Sequence, residues 1–191
     1  MHDESRALEA PMLSRRGLLG LGLGLIGAAA LPELAEAAPQ SRFITLRSLH
    51  TGEKLRAEYF TRGKYNKDAL RALSRLMRDH RNGQVHAIDP KLFDVLYQLQ
   101  RKLGSQAEYH VISGYRSPET NAMLARTGDG VATNSFHLRG MAIDIRMPKV
   151  DLRKLHRAAL TLRRGGVGYY PESNFIHLDV GPVRRWGGVG V

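Results

Sequence analysis

The sequence predicts an α+β fold, a single domain in which helices flank a small antiparallel sheet. A chain of 191 residues has room for one compact domain, since domains run to about 100–200 residues. Segments with the apolar spacing of helices are interspersed with short apolar or alternating segments typical of strands. No internal repeat or low-complexity segment follows the first forty residues, so the pattern excludes a repeat architecture.

The first half of the predicted domain contains a hairpin and two helices. A β-hairpin is predicted between Arg42 and Phe60, because apolar residues alternate on both sides of a turn. Asn66 is predicted to cap a helix that ends near Gly83. Pro90 suits the first turn of a second helix. Leucines recur at helical spacing in both helices, which gives each of them one apolar face.

The second half is predicted to contribute three strands and two helices. The strands are short apolar runs, and the helices begin at polar residues and have one apolar face. The predicted strands cover residues 109–113, 141–145 and 174–180, and the predicted helices cover residues 117–127 and 151–164. The segment between the first of these helices and the second strand is predicted to be a loop.

The first 37 residues are expected to be an export signal rather than part of the domain. Arg15 and Arg16 precede an apolar stretch rich in Gly and Ala, and Ala35 and Ala37 suit a cleavage site. Paired arginines here are typical of the twin-arginine signal, which bacteria use to export folded proteins. About 15 apolar residues are too few for the alternative, a membrane-spanning helix. We therefore expect a periplasmic domain of residues 38–191, exported by the twin-arginine machinery and without a membrane span.

The composition restricts the possible chemistry and partners. The chain has no cysteine, which excludes disulfides, thiolate chemistry and zinc sites built from cysteine. It has 29 Lys and Arg against 18 Asp and Glu, a net charge of +11 that favours polyanions such as nucleic acid, anionic lipid or the acidic polymers of a cell wall. Export argues against nucleic acid, as does the lack of a basic run interleaved with aromatic residues.

Polar residues lie inside apolar segments at two places. Asp144 lies in the apolar run 141–145, seven residues after His137, and a carboxylate is costly to bury unless it is paired or binds a metal. His177 lies in another predicted strand, where alternation puts Asp179 on the same face. Two imidazoles and a carboxylate are the ligand set of a catalytic zinc site, with the fourth position open for water. An ordinary structural role is the alternative for any single histidine.

Arg116 lies at a predicted turn from strand to helix, in the segment Ser113-Gly114-Tyr115-Arg116-Ser117. The planar guanidinium group of arginine suits contact with a substrate carboxylate or with a fixed carboxylate of the protein. An ordinary surface ion pair is an equally good interpretation of the spacing.

The strings SGYRSPETN, SFHLRGMAID and FIHLD together resemble those of the M15-type peptidoglycan peptidases, zinc enzymes with a LAS-type fold. The family includes D,D-carboxypeptidases, D-Ala-D-Ala dipeptidases and murein endopeptidases. The likeness is to a small murein endopeptidase subgroup and extends over essentially the whole expected mature chain. It implies that His137, Asp144 and His177 bind zinc. It also implies that Arg116 and Ser135 help to hold the substrate or the site.

The sequence departs from the family pattern at the catalytic base. Relatives carry Glu or His three or two positions before the last zinc histidine, where this chain has Asn174 and Phe175. The remaining candidates are Asp179 and Glu172, which lies in the loop before the strand. Asp179 is favoured, because strand geometry puts its carboxylate beside the metal, in reach of a proton from activated water. The alternative is that Asp179 orients His177 through the other imidazole nitrogen.

These features predict an exported zinc peptidase that hydrolyses amide bonds in peptidoglycan stem peptides or cross-links, with cross-links favoured by the resemblance. Arg116 would bind a carboxylate of the substrate. The empty base position leaves a zinc-containing wall-binding module without catalysis as one alternative. A D,D- or L,D-carboxypeptidase that acts on stem peptides is the other.

Overall fold

Eight strands form one sheet in the computed structural model of the chain, which describes residues 41–106, 108–127 and 132–187. These residues form one compact unit. The strands are β1 (Arg42–Ser48), β2 (Lys54–Thr61), β3 (Lys64–Tyr65), β4 (Tyr109–Ser113), β5 (Ala142–Arg146), β6 (Gly166–Tyr170), β7 (Phe175–Asp179) and β8 (Arg184–Trp186). The helices are α1 (Lys67–Leu76), α2 (Pro90–Lys102), α3 (Pro118–Thr127) and α4 (Leu152–Leu162), and a 3-10 helix covers Phe136–Arg139.

The fold is α+β and a single domain, as predicted, but the sheet is larger than the small sheet expected. The strand order is β3-β2-β1-β4-β5-β7-β6-β8. The pairings are antiparallel except those of β1 with β4 and of β6 with β8. Strands β3, β6 and β8 were not predicted. Two of them have only two or three residues, and β6 contains Gly166 and Gly168, a residue type that strands disfavour.

The other predicted elements are confirmed, and the capping residues of the helices explain where those helices begin. The side chain of Asn66 accepts the backbone N–H groups of Asp68 and Ala69, which caps the start of α1. Pro90 begins α2 after its capping residue Asp89. The hairpin of β1 and β2 keeps the predicted alternation, with Ile44 and Leu46 of β1 in the core.

The predicted end of the first helix near Gly83 is wrong, because α1 ends at Leu76. Asp79 is buried just beyond this point, and its carboxylate accepts the backbone N–H groups of Arg81 and Ser117. A side chain that binds nearby backbone groups in this way competes with the helical hydrogen bonds. The segment after α1 is therefore fixed as a loop against the start of α3.

Side-chain alternation separates two faces of the sheet along β5 and β7. One face packs in the hydrophobic core with α2 and α4 behind it, and it carries the apolar residues Ile143, Ile145, Ile176 and Leu178. Asp144, His177 and Asp179 alternate with these residues and therefore lie on the opposite face. We call this opposite face of β5, β7, β6 and β8 the site face.

The expected export signal, residues 1–37, lies outside the described residues. Among the residues that the structure describes, no helix combines the length and the apolar character needed to cross a membrane.

Candidate metal centre

Three of the predicted site residues converge at one point on the site face. The register of β5 and β7 puts Asp144 directly opposite His177, and the 3-10 helix before β5 brings His137 over them. His137 Nε2 lies 3.2 Å from His177 Nδ1. Asp144 Oδ1 lies 3.0 Å from His177 Nδ1 and 3.3 Å from His137 Nε2. All three side chains are buried.

The triangle of ligand atoms fits a metal ion in both size and chemistry. Zinc binds nitrogen and oxygen at about 2.0–2.2 Å, and tetrahedral ligands at that radius lie about 3.3 Å from one another. The observed separations of 3.0–3.3 Å are close to this value. No other set of three potential ligand side chains comes together in the described part of the chain.

Each histidine of the triangle is held by a hydrogen-bond acceptor on its outer side. His137 Nδ1 lies 2.6 Å from the carbonyl oxygen of Gly114, and His177 Nε2 lies 3.1 Å from Asp179 Oδ2. Because these oxygens only accept, each outer nitrogen carries the proton. The inner nitrogen of each neutral ring therefore presents a lone pair to the centre, as a metal ligand requires.

The centre of the triangle is electrostatically suited to a cation. Two lone pairs and a carboxylate oxygen facing one another are repulsive until a positive charge lies between them. Burial raises the pKa of Asp144, but His137 and His177 outweigh it and hold that pKa well below its usual range. Burial lowers the pKa of His177, but Asp144 and Asp179 outweigh it and raise that pKa. The negative charge that stabilises a proton on His177 also attracts a metal ion.

Arg116 holds the third ligand from its outer side. Its Nη2 donates to Asp144 Oδ2 over 2.5 Å, and its Nε donates to Ser113 Oγ over 2.9 Å. An irregularity between Val111 and Ser113 shifts the register, so that Ser113 rather than its predecessor faces Asp144. The sequence left several roles open for Arg116, and the structure shows one of them, contact with a fixed protein carboxylate, that of Asp144.

Asp179 lies behind His177 rather than beside the triangle. It is buried, and its Oδ1 accepts the backbone N–H groups of Gly166 and Gly181, over 3.0 and 2.8 Å. Arg184 donates to both oxygens, over 3.1 and 2.6 Å. Although burial raises the pKa of Asp179, these bonds and the one to His177 hold it well below its usual range. Both carboxylate oxygens are occupied by donors.

The other positions considered for a base bring no carboxylate or imidazole to the cavity in front of the triangle. Glu172 is exposed in the turn between β6 and β7, and Asn174 is exposed in the same turn with a positive φ of 53°. The ring of Phe175 stacks on Tyr170, with 4.6 Å between the centroids. Asp144 is the only carboxylate among the described residues that line the cavity in front of the triangle.

That cavity has a volume of about 570 Å³ and one aromatic wall. Trp186 lies across Gly168, where an added Cβ would come within 2.7–2.9 Å of the indole. The indole N–H donates to the hydroxyl of Tyr170 over 2.8 Å, and its ring lies 5.1 Å from that of His177. Arg184 also lines the cavity.

Sequence reasoning missed Tyr170, Arg184 and Trp186. A signal for them was present in Gly166 and Gly168, which lie two residues apart and so leave two neighbouring positions on one face of a strand without side chains. Ser135, which was predicted, lines the cavity. Its Oγ accepts the backbone N–H of His137 over 3.3 Å and caps the 3-10 helix.

Comparison with known proteins identifies relatives along nearly the whole chain. The profile of the family Peptidase_M15_2, described as peptidoglycan L,D-endopeptidase MepK, matches residues 36–186. Peptidoglycan L,D-endopeptidase MepK of Escherichia coli K12 is 46% identical over 176 residues, 91% of this chain and 97% of the relative. A probable MepK of Haemophilus influenzae is 47% identical over 180 residues, 92% of this chain and 97% of the relative.

Among solved structures, the chain has a slight likeness to the L-Ala D-Glu endopeptidase ChiX of Serratia marcescens. The two are 24% identical, with a TM-score of 0.32. The match covers 40% of this chain and 62% of that chain.

Proposed function

The chain belongs to the family described as peptidoglycan L,D-endopeptidase MepK and is a peptidase, and on this premise we propose that it is a zinc-dependent murein endopeptidase. Its reaction is the hydrolysis of amide bonds in the peptide cross-links of peptidoglycan. The convergence of His137, Asp144 and His177 at the bottom of an open cavity carries the proposal. Their donor set of two imidazoles and one carboxylate is that of catalytic zinc sites.

We assign zinc to these three side chains. When bound, zinc acts as a Lewis acid on the scissile carbonyl and makes water a better nucleophile at neutral pH. The protein keeps the three ligands in place before the substrate arrives, since Gly114, Arg116 and Asp179 each hold one of them from outside. Such outer partners fix the orientation of the ligands and increase metal affinity.

Arg116 has a second role in this proposal, contact with the substrate. It lines the cavity, and its Nη1 has no hydrogen-bond partner among the described residues. Its bonds to Ser113 and Asp144 fix the plane of the guanidinium group, so the remaining N–H groups have a defined direction. A carboxylate or carbonyl oxygen of the substrate suits these donors. Ser135 lies at the edge of the same cavity and offers a hydroxyl group.

For Asp179 we favour the orienting role over that of general base. Its carboxylate already accepts five hydrogen bonds and does not line the cavity. A base must reach the proton that it removes, directly or through one water. Glu172 is exposed in a turn and does not line the cavity either.

We also propose that the protein works in the periplasm after export by the twin-arginine route. Peptidoglycan, the proposed substrate, lies outside the cytoplasm. Arg15 and Arg16 before the apolar stretch support this route.

Digestion of defined muropeptides tests the proposed activity. The zinc-loaded protein is incubated with cross-linked dimers and with monomers, and the products are identified by mass spectrometry. We expect the dimer to be converted into two peptides whose masses together equal the dimer plus one water, with one new amino group and one new carboxyl group. The His177→Ala variant serves as the inactive control.

Two other results would redirect the assignment. Loss of a single terminal residue from monomers, with dimers intact, would indicate a carboxypeptidase. Binding of muropeptides without any cleavage would indicate a wall-binding module.

A further inference from the structure

A second cavity, of about 380 Å³, adjoins the first along the loop before the 3-10 helix. Asn134 and Ser135 line both cavities, so the two form one groove. Leu138 and Arg139 complete the described wall of the second cavity. Because the proposed metal ligands line only the first cavity, the groove continues past the metal centre on this side.

Arg139 brings an uncompensated positive charge to this second cavity. Its side chain is exposed, and no carboxylate of the described residues pairs with it. The two arginines of the first cavity differ in this respect, since Arg116 pairs with Asp144 and Arg184 pairs with Asp179. No carboxylate of the described chain lines the second cavity, so an anionic ligand would meet no like charge there.

The guanidinium group of Arg139 is held in position by an aromatic ring. It lies 4.2 Å from the centroid of Phe136, whose ring also contacts the guanidinium of Arg184 at 4.8 Å. The ring packs closely over Gly181, where a Cβ would collide with it. A platform fixed in this way lowers the conformational entropy that Arg139 loses when it binds a ligand.

We propose that Arg139, with Asn134 and Ser135, forms a carboxylate-binding subsite for the second peptide chain of a cross-linked substrate. The guanidinium fork matches a carboxylate, and the two neighbours add neutral donors. The Ser135 hydroxyl accepts the N–H of His137, which leaves its own proton available to the ligand. The inference rests on the proposed endopeptidase function and deepens it.

The two-part groove also distinguishes between substrates. Cleavage at a stem terminus places most of the substrate on one side of the scissile bond, whereas a cross-link has a peptide on both sides. A charged subsite beyond the metal centre therefore favours cross-linked dimers over monomers.

Pairing a protein variant with a substrate variant tests the subsite. Arg139→Gln removes the charge, Arg139→Lys retains it, and Arg153→Gln is a matched control at an exposed arginine of α4, behind the sheet. Each protein is assayed on a cross-linked dimer with free carboxylates and on the same dimer with its carboxylates amidated. We expect Arg139→Gln to raise KM for the free dimer by about 10–100-fold, the usual weight of a hydrogen bond to a charged group.

The same variant should leave KM for the amidated dimer unchanged, and kcat should change little on either substrate. Arg139→Lys should recover part of the loss, and Arg153→Gln should behave as the wild type. An equal loss on both dimers, or no loss on either, would overturn the subsite. If the wild-type protein cleaves neither dimer, the endopeptidase proposal fails. The subsite is then tested by dissociation constants: Arg139→Gln should weaken binding of the free dimer and leave binding of the amidated dimer unchanged.

Discussion

The proposed ligands are defined as much by the groups behind them as by their own positions. A histidine binds a metal only through a nitrogen without a proton, and the partner of its other nitrogen decides which one that is. Gly114 and Asp179 make that choice for His137 and His177. Arg184 in turn neutralises Asp179, whose negative charge would otherwise be costly to bury.

The role of Asp179 leads to the first prediction. In Asp179→Asn, His177 loses its charged partner, so we expect zinc affinity to fall by roughly 10–100-fold. Activity should fall with zinc occupancy and recover at saturating zinc. Zinc titration and turnover measured on the same protein preparation check this expectation.

Glu172→Gln provides the control, because Glu172 is an exposed carboxylate that does not line the cavity. It should leave both zinc affinity and turnover unchanged. A base role for Asp179 would give the opposite pattern in Asp179→Asn: full zinc occupancy with turnover lower by about 10²–10⁴-fold. That result would refute the orienting role.

The second prediction concerns the ligands themselves. His137→Ala, Asp144→Ala and His177→Ala should each abolish stoichiometric zinc binding, since two remaining ligands hold zinc poorly. The variants should stay folded, because the hydrophobic core lies on the other face of the sheet. Zinc content by atomic absorption and the thermal unfolding transition are the measurements.

His156→Ala is the matched variant for this series. His156 is a half-buried histidine of α4 that stacks on Tyr169, away from the triangle. Its replacement should not alter zinc content. If all three ligand variants still bound zinc as tightly as the wild type, the metal site would have to lie elsewhere.

The sequence indicated which residues belong to the site, but not which groups hold those residues in place. Asp144 and His177 could be singled out because polar residues inside apolar runs need a reason to be there, and the resemblance to M15-type peptidases added His137 to them. The acceptor for His137 is the backbone carbonyl of Gly114, which every residue possesses, so no side chain marks it. The pairing of Arg184 with Asp179 depends on how β8 meets β6, which is a tertiary contact.

Among the elements, β6 determines the shape of the cavity. Gly168 pairs with His177 on one side and with Trp186 on the other, so these three positions form a row across the sheet. Without a side chain at Gly168, the indole can approach the strand closely and contact the ring of His177. Gly166 lies two residues before Gly168 on the same face of the strand. The lack of a side chain there leaves space for the contact between Asp179 and Arg184.

The same glycines explain which elements could be predicted. Helices α1, α2 and α4 were recognisable because leucine spacing and capping residues agree with each other. Strand β7 has the apolar character of an interior strand. Strand β6 lacks that signal because two of its three positions on the site face are glycines, and the register of the neighbouring strands, not local propensity, holds it in place.

The third prediction tests the row of His177, Gly168 and Trp186 across the sheet. In Gly168→Ala the new Cβ would lie within 2.7–2.9 Å of the indole, so Trp186 must move. We expect a loss of about 1–3 kcal/mol in the free energy of unfolding, as for other overpacked sites. Trp186 is the only tryptophan of the chain, so its fluorescence reports its displacement without interference.

Gly104→Ala is the control that separates displacement of the Trp186 indole from ordinary backbone strain. Gly104 has a positive φ of 61° and open space around its Cα, so alanine there is strained but touches nothing. It should lower stability without changing the tryptophan emission. Unchanged emission in Gly168→Ala would show that the indole does not depend on this glycine.

In the molecule as a whole, the sheet separates the hydrophobic core from the candidate metal centre. Helices α2 and α4 cover one face with apolar contacts, and the site face carries the buried charges. The proposed ligands come from two segments separated by α4, β6 and the connecting turns, so the triangle exists only when the domain is folded. Binding of the proposed metal therefore requires the folded domain.

This requirement gives the proposed twin-arginine route a physical rationale and leads to the last prediction. A route that carries folded proteins allows the ligand triangle to form, and zinc to bind, before the protein leaves the cytoplasm. Replacement of Arg15 and Arg16 by Lys should therefore leave an unprocessed precursor in the cytoplasm that is folded and contains zinc, because the paired arginines are what the export receptor reads. Cell fractionation, the mass of the chain and its zinc content are the measurements. The same precursor with Arg62 replaced by Lys, an exposed position of the domain, should be exported normally. Processed, periplasmic protein from the Arg15→Lys, Arg16→Lys variant would show instead that the chain is exported by the general secretory route and must fold and acquire its metal after export.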